Sequence, residues 1–397
     1  LDGYGPIGRI GEDERKTGNQ VGMDSISWNQ VVNYIFEDDK INFIAEAMTP
    51  LHVLGIEALI LYLERKGFNC KGFILAIDHA ATGKGLDESM FHRNCYSGVV
   101  PYSFIPNQEE KKNDIKFYLN LKKNITKSNT FIYATPFVPS FDRIPLVMGV
   151  RPNDNLQIYL TEEGIASYLS NPYKLYYHRL FKPKLYRYPK IIWKNLIRNR
   201  FYKSHLIKAD KLHTFSILQE TDGTYVSNEE FSISCKEIFK TYTSNRDYSQ
   251  YEGAIVFTPS LLFEGGVISK RIDVEIYESI KRVVGEKCNY IVKPHPREKN
   301  LEAYSSLNCY IERDYKDSFE SIIAKLGRKP KCIIGDMGSA LVNVSALFGV
   351  KTISISKLID DECLLIKNYF DAYNEAFKNL VYIPETFDEL KNYLEEL

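Results

Sequence analysis

Short apolar runs, each closed by glycine, proline or polar residues, alternate along this chain with longer stretches in which apolar side chains recur every three to four positions. Residues 41–46 read as a strand, Thr49-Pro50 as a turn that places proline at the first helical position, and 51–66 as an amphipathic helix closed by Gly67. That is a βα unit. Further strands are predicted at 72–78, 129–134 and 156–160, with helix-like sequence between 79 and 128. A second alternation begins near Leu212, with strands at 253–257, 289–292, 309–311, 331–334 and 351–355. Helices are predicted there at 271–284, 318–326 and 341–348, and a terminal helix over 386–394 is expected to pack back across the domains. Strands alternating with helices argue for parallel sheets covered by helices on both faces, the α/β class.

At 397 residues the chain exceeds one ordinary core and suits two domains of under 200 residues each with a cleft between them. The expected division is an N-terminal extension at 1–40, a first Rossmann-like domain at 41–211, a second at 212–385, and the terminal helix at 386–397. Within the extension, 28–36 has the pattern of two helical turns. No internal repeat or low-complexity tract interrupts this plan.

Composition narrows the function classes. Lys plus Arg equals Asp plus Glu at 51 each, so no global field marks a nucleic-acid protein. The seven cysteines are scattered, odd in number and without a C-x-x-C pair, which argues against a disulfide framework and a structural zinc site and fits a reducing cytoplasm. The longest apolar runs fall short of the roughly 20 residues that span a bilayer. No charged-then-apolar signal opens the sequence. It starts on Leu1 instead of Met, as a processed or truncated chain does.

Four features carry candidate chemistry. The strand at 289–292 runs into Lys293-Pro294-His295-Pro296, where two prolines leave His295 little backbone freedom and pre-aim an ionisable ring at a strand end. A rigid turn that happens to hold a histidine is the ordinary alternative. The strand at 156–160 ends in Thr161-Glu162-Glu163-Gly164, two carboxylates where open α/β sheets place ligands, followed by a residue free to turn tightly. An exposed acidic turn is the alternative there. After the strand at 331–334, Gly335-Asp336-Met337-Gly338-Ser339-Ala340 opens a helix, whose first N–H groups make a phosphate cradle, or else Ser339 is simply a cap. Lastly, 173–208 holds eleven Lys or Arg, among them Lys174, Arg179, Lys182, Lys184 and Arg187, with no Asp or Glu and with interleaved tyrosines. Such a face suits polyanions, sugars or anionic lipid headgroups.

The three motifs lie at strand ends and divide between the two predicted domains. A carboxylate that takes a proton from an attacking hydroxyl, with a histidine and helix-terminal N–H groups stabilising a departing phosphate, is the logic of an inverting glycosyltransferase of GT-B architecture with no required metal.

In their order, Glu162-Glu163-Gly164, then Lys293-Pro-His295-Pro296, then Ser339 at a helix start, these motifs resemble the bacterial sialyltransferases and polysialyltransferases. Those enzymes carry (Asp/Glu)-(Asp/Glu)-Gly, His-Pro and Ser-Ser motifs in the same order. Thr49-Pro50-Leu51 after the first strand is similar to their opening, and the resemblance spans roughly 41–355. It implies a cytidine 5′-monophosphate (CMP)-linked sialic acid donor and no cofactor or metal. One of Glu162 and Glu163, with Glu163 preferred, would match the general base. His295 would match the donor of a proton or hydrogen bond to the leaving CMP, and Ser339 the phosphate-binding serine. Thr258, Lys293, Pro296, Gly338 and Ala340 would complete the donor side, and Thr49 with Lys174, Arg179, Lys182, Lys184 and Arg187 the acceptor side. Gly338-Ser339-Ala340 departs from the serine pair, with Ser345 the candidate substitute.

A cationic groove beside the base suits a growing sialic acid polymer, which carries one carboxylate per sugar. The expectation is therefore a capsular polysialyltransferase, cytoplasmic and peripheral at the inner face of the cytoplasmic membrane, that takes a nucleotide-sugar donor and an anionic glycan acceptor and no nucleic acid. A single-addition lipooligosaccharide sialyltransferase, or a transferase using CMP-Kdo or CDP-glycerol, is the alternative. A non-catalytic polyanion- or membrane-binding protein is the alternative from another class.

Overall fold

The computed structural model describes residues 26–35, 41–78, 86, 91, 96–103, 107–124, 130–136, 155–162, 164–165, 168–169, 212–242, 244–263, 268, 271–285, 288–296, 298–314, 317–359 and 364–397. The chain enters through α1 (Trp28–Tyr34), started by a capping box in which Ser27 and Gln30 satisfy each other's backbone N–H groups. There follow β1 (Phe43–Ala47), α2 (Pro50–Arg65), β2 (Gly72–Asp78), β3 (Tyr96–Ser103), α3 (Gln108–Asn124), β4 (Phe131–Pro136), β5 (Leu156–Thr161) and β6 (Leu212–Phe215). The six strands are parallel, in the order β3-β2-β1-β4-β5-β6. That order reverses between β1 and β4, so the crevice for a ligand lies at their carboxyl ends.

A hairpin, β7 (Leu218–Thr221) and β8 (Thr224–Ser227), and the helix α4 (Glu229–Thr241) lead to the second sheet. Its elements are β9 (Ile255–Thr258), α5 (Ile272–Val284), β10 (Tyr290–Val292), a 3₁₀ segment (Leu301–Leu307), β11 (Tyr310–Ile311), α6 (Phe319–Lys325), β12 (Cys332–Gly335), α7 (Ser339–Phe348) and β13 (Thr352–Ser354). These strands are also parallel, ordered β11-β10-β9-β12-β13, which puts a second switch point between β9 and β12. Two further helices, α8 (Leu364–Phe377) and α9 (Phe387–Glu395), close the chain. The architecture is thus α/β with two Rossmann-like sheets, as expected for GT-B.

One apolar core is continuous between the sheets. It joins Phe43, Leu59 and Ile60 of the first half to Ile238 and Phe239 of α4, and these to Ile322, Val342 and Leu347 of the second. Helix α4 is the wedge: Tyr62 donates to Glu230 at 2.9 Å, and Tyr242 donates to the fully buried Glu57 at 3.2 Å. Truncating Phe239 to alanine in such a core costs about 3–5 kcal/mol.

Three boundaries differ from expectation. Residues 212–215 form the edge strand of the first sheet and not the start of the second domain, because Ile158 to Thr161 pair with them in parallel. Helix α1 is no detached extension: Trp28, Val31 and Val32 are buried against the first sheet, and the indole N–H donates to Asp114 at 2.9 Å. The terminal helix α9 buries Leu390 and Leu394 in the second core and packs on α5. The late element that reaches back to the hairpin is α8, through Phe377 against Tyr225.

Candidate active site

The second switch point is built from two strand ends. At the end of β12 the buried Asp336 accepts from the Ser260 hydroxyl at 2.6 Å and from the Met337 amide at 2.6 Å, which ties the loops after β9 and β12 together. Burial pushes its carboxyl up to about 6, partly offset by the Ser260 hydroxyl. Thr258, expected on the donor side, spends its hydroxyl inside the sheet, donating to the Ile334 carbonyl at 3.4 Å. It also lies so close to Gly335 that a β-carbon there would come within 2.7 Å of it.

Helix α7 begins just beyond. Gly338 sits at the N-cap in extended geometry and supplies no side-chain cap, so the first-turn N–H groups have no capping side chain. The three residues assigned to the donor phosphate, Gly338, Ser339 and Ala340, therefore form an uncapped, partly exposed helix start. The candidate substitute Ser345 does not join them, since its hydroxyl donates to the Leu380 carbonyl at 2.5 Å.

The acidic motif arrives from the other sheet. Gly164 adopts φ +108°, and a β-carbon on it would lie 3.1 Å from the Ser339 Oγ and 3.2 Å from its Cβ. Gly164, which follows β5, thereby lies close against the start of α7. Glu162 is 8 % exposed; Oε2 accepts from the Ile217 amide at 3.1 Å, and Oε1 is buried with no partner. Burial pushes its carboxyl up to about 7, with Glu320 adding to the rise and Tyr168, Ile217 and Asn343 opposing it. Glu163 lies outside the described residues.

The histidine loop follows β10. The Lys293 amide donates to the Phe257 carbonyl at 2.8 Å, and its side chain is buried. Burial lowers the pKa of its ammonium, while Glu312, Glu320, Asp314 and Asp317 pull it back up. His295 is half-buried and Pro296 exposed. The His295 carbonyl accepts from the Glu298 amide at 2.8 Å. The Glu298 carboxylate in turn accepts from Arg271 and from Tyr304, each at 3.1 Å, and the guanidinium lies 4.6 Å over the Tyr304 ring. A buried ion pair with a stacked cation therefore anchors the turn that carries His295.

Two residues not singled out from the sequence connect these parts. Asn343 of α7 is fully buried and donates Nδ2 to Glu320 of α6 at 3.0 Å. The Glu320 charge then acts on Glu162 of one sheet and on Lys293 of the other. An asparagine among Leu341, Val342 and Val344 was the available signal, since a buried polar group needs a partner.

On the acceptor side, the Thr49 hydroxyl accepts from the His52 amide at 3.3 Å and so caps α2. Beside it at the first switch point, the buried Glu46 accepts from Tyr133 at 2.5 Å and from Thr135 at 2.9 Å. Lys174, Arg179, Lys182, Lys184 and Arg187 lie outside the described residues.

The model of the alpha-2,8-polysialyltransferase family matches residues 149–357, more than half of the chain and all three motifs. No curated protein sequence matches. Among solved structures, similarity extends to the UDP-GlcNAc 2-epimerase of Methanocaldococcus jannaschii, at 12 % identity over 89 % of this chain and 91 % of that one, with a TM-score of 0.46. It extends also to an alpha/beta-galactoside alpha-2,3-sialyltransferase from Photobacterium phosphoreum, at 12 % identity over 86 % and 97 %, TM-score 0.41. The MurG protein of Acinetobacter baumannii is similar at 10 % identity over 89 % of each chain, TM-score 0.41.

Proposed function

The chain belongs to the alpha-2,8-polysialyltransferase family and is a glycosyltransferase, and from that premise we propose that it transfers sialic acid from CMP-sialic acid to a sialylated glycan, with inversion and without a metal. The observation that supports this reading is the close approach of Gly164, two residues after Glu162 at the end of a strand of the first sheet, to Ser339 at the uncapped helix start that follows a strand of the second.

In the proposed reaction the acceptor hydroxyl oxygen attacks the anomeric carbon of the donor sugar. The bond from that carbon to the phosphate oxygen breaks, and its electron pair leaves with CMP. The hydroxyl proton passes to the Glu162-Glu163 pair. Glu163, preferred by family likeness, takes it; Glu162, one oxygen held by Ile217 and the other without a partner, sets the charge beside it. The α7 N–H groups and Ser339 hold the phosphate, helped by the helix dipole, and His295 donates to the departing oxygen. Lys293, buried behind the loop, adds positive charge on the same side. The polymer formed is proposed to be capsular, and the enzyme to work peripherally at the inner face of the cytoplasmic membrane.

Incubation with CMP-sialic acid, CMP-Kdo and CDP-glycerol in turn, followed by mass analysis, tests the donor. Sugar transfer with CMP release from CMP-sialic acid alone is expected. Turnover confined to either of the other two donors, or none at all, contradicts the reading.

A further inference from the structure

We infer that the outer face of α3 is a docking surface for an anionic lipid bilayer. Helix α3 turns Phe117, Leu121 and Asp114 inward, and Asp114 is fully occupied by the Trp28 indole and by Tyr102 at 2.7 Å. On the opposite face Ile115 and Leu119, one helical turn apart, stand 53 % and 56 % exposed. Among the described residues four large apolar side chains are exposed, and two of them are this pair.

Their surroundings select the partner. Lys111, Lys112, Lys116 and Lys123 are exposed around the pair, and Lys116 also reaches Asn33 on α1. Of the acids on the helix, Asp114 is buried, Glu110 is tied to Ser103 and Asn107, and only Glu109, in the first turn, is exposed. At 100° per residue Ile115 and Leu119 run along the middle of the face with lysines on both flanks. An apolar stripe bordered by lysines, whose stems can lie flat while their ammonium groups meet phosphate, suits shallow insertion into anionic headgroups. A second copy of the chain fits poorly, because a two-fold contact would set these lysines against each other. Insertion would be superficial, for no described helix is long and apolar enough to cross a membrane.

The placement leaves the site free. The buried side of α3 joins the core with Trp28 and Tyr133, on the face of the first sheet opposite the core that α2 and α4 share with the second sheet. An enzyme lying on a membrane through this face keeps both switch points accessible.

Flotation of the full chain with vesicles of phosphatidylcholine, and of equal parts phosphatidylcholine and phosphatidylglycerol, tests the inference. Binding to the anionic vesicles only, weakened by salt, is expected. Replacing Lys112, Lys116 and Lys123 by glutamine is expected to weaken it on the order of 100-fold. Ile115→Ser with Leu119→Ser is expected to weaken it by roughly tenfold or more. Both variants should melt as the parent does and extend a soluble acceptor at the parent rate, so the outcome is independent of the proposed reaction. No binding to anionic vesicles overturns the inference. So does unchanged binding by both variants, which would move the contact to another basic part of the chain, such as the sequence 173–208. Loss of a concentration-dependent dimer in the variants without loss of vesicle binding would assign the face to a second copy and overturn it as well.

Discussion

Gly164 and Ser339 lie 175 positions apart in sequence and follow strands of different sheets, yet a single added methyl on one would press into the hydroxyl of the other. This close approach brings two of the strand-end motifs, the acidic one and the Ser339 helix start, to one place. It also leaves no room for error.

Gly164→Ala adds both a close approach and a side chain at φ +108°, a conformation that costs a residue with a β-carbon roughly 1–3 kcal/mol. The variant is expected to melt earlier and to lose on the order of 10²-fold in kcat/KM, because reacting groups misplaced by about 1 Å lose that much. Thermal melts and steady-state rates check it. A parental rate would mean that the two motifs do not act together.

Glu162 couples stability to activity in opposite directions. Its folded pKa, about 7, lies above the ordinary 4.5, so folding favours its protonated form. The stability tied to it is complete below about 4.5 and is lost as the pH rises through about 7. Glu162→Gln is therefore expected to flatten the fall in stability over that window and to exceed the parent at pH 8 by up to roughly 3 kcal/mol. Its transfer rate should fall, and the acidic limb near pH 7 should disappear from its profile. Asp336, near 6, titrates in both proteins, so the difference between them isolates Glu162.

His295→Ala is expected to cut turnover by roughly 10²–10⁴-fold while CMP still binds. Glu298→Gln should produce a smaller loss in kcat and a stability cost of about 1–3 kcal/mol, since Arg271 and Tyr304 lose the carboxylate that anchors the turn. Titration of CMP against both variants separates positioning from binding. An unaltered rate in His295→Ala contradicts its assigned role.

Charge on the departing phosphate is assigned to the α7 start, Lys293 and His295. Activity should then persist after dialysis against EDTA. Loss of activity restored by Mg²⁺ or Mn²⁺ would place a metal in the reaction.

The sequence was most readable where burial is two-sided. Strand β2 occupies 72–78 as the apolar run predicts, and α2 lies within one residue of its expected bounds because Thr49, Pro50 and Gly67 punctuate it. The edge strand β6 escaped notice because Leu-His-Thr-Phe is short and mixed, and pairing along one side only asks little of its sequence. The hairpin was legible in principle: Asp222 and Gly223 both adopt positive φ in a two-residue turn, but polar Gln219 and Glu220 beside it masked the strands. For α9, the Leu390 and Leu394 seam reveals that the helix packs, not against which core. At the site, strand-end placement of Glu162, His295 and Ser339 followed from the α/β alternation. The Glu320-Asn343 connection did not, because it depends on how α6 and α7 cross.

The most direct measurement is extension of a short α2,8-linked oligosialic primer by the purified chain with CMP-sialic acid, read as a product ladder beside Glu163→Gln. A ladder with equivalent CMP release, absent in Glu163→Gln although that variant still binds CMP, is the predicted result. No extension by the parent chain, or an unchanged ladder from Glu163→Gln, would contradict the account.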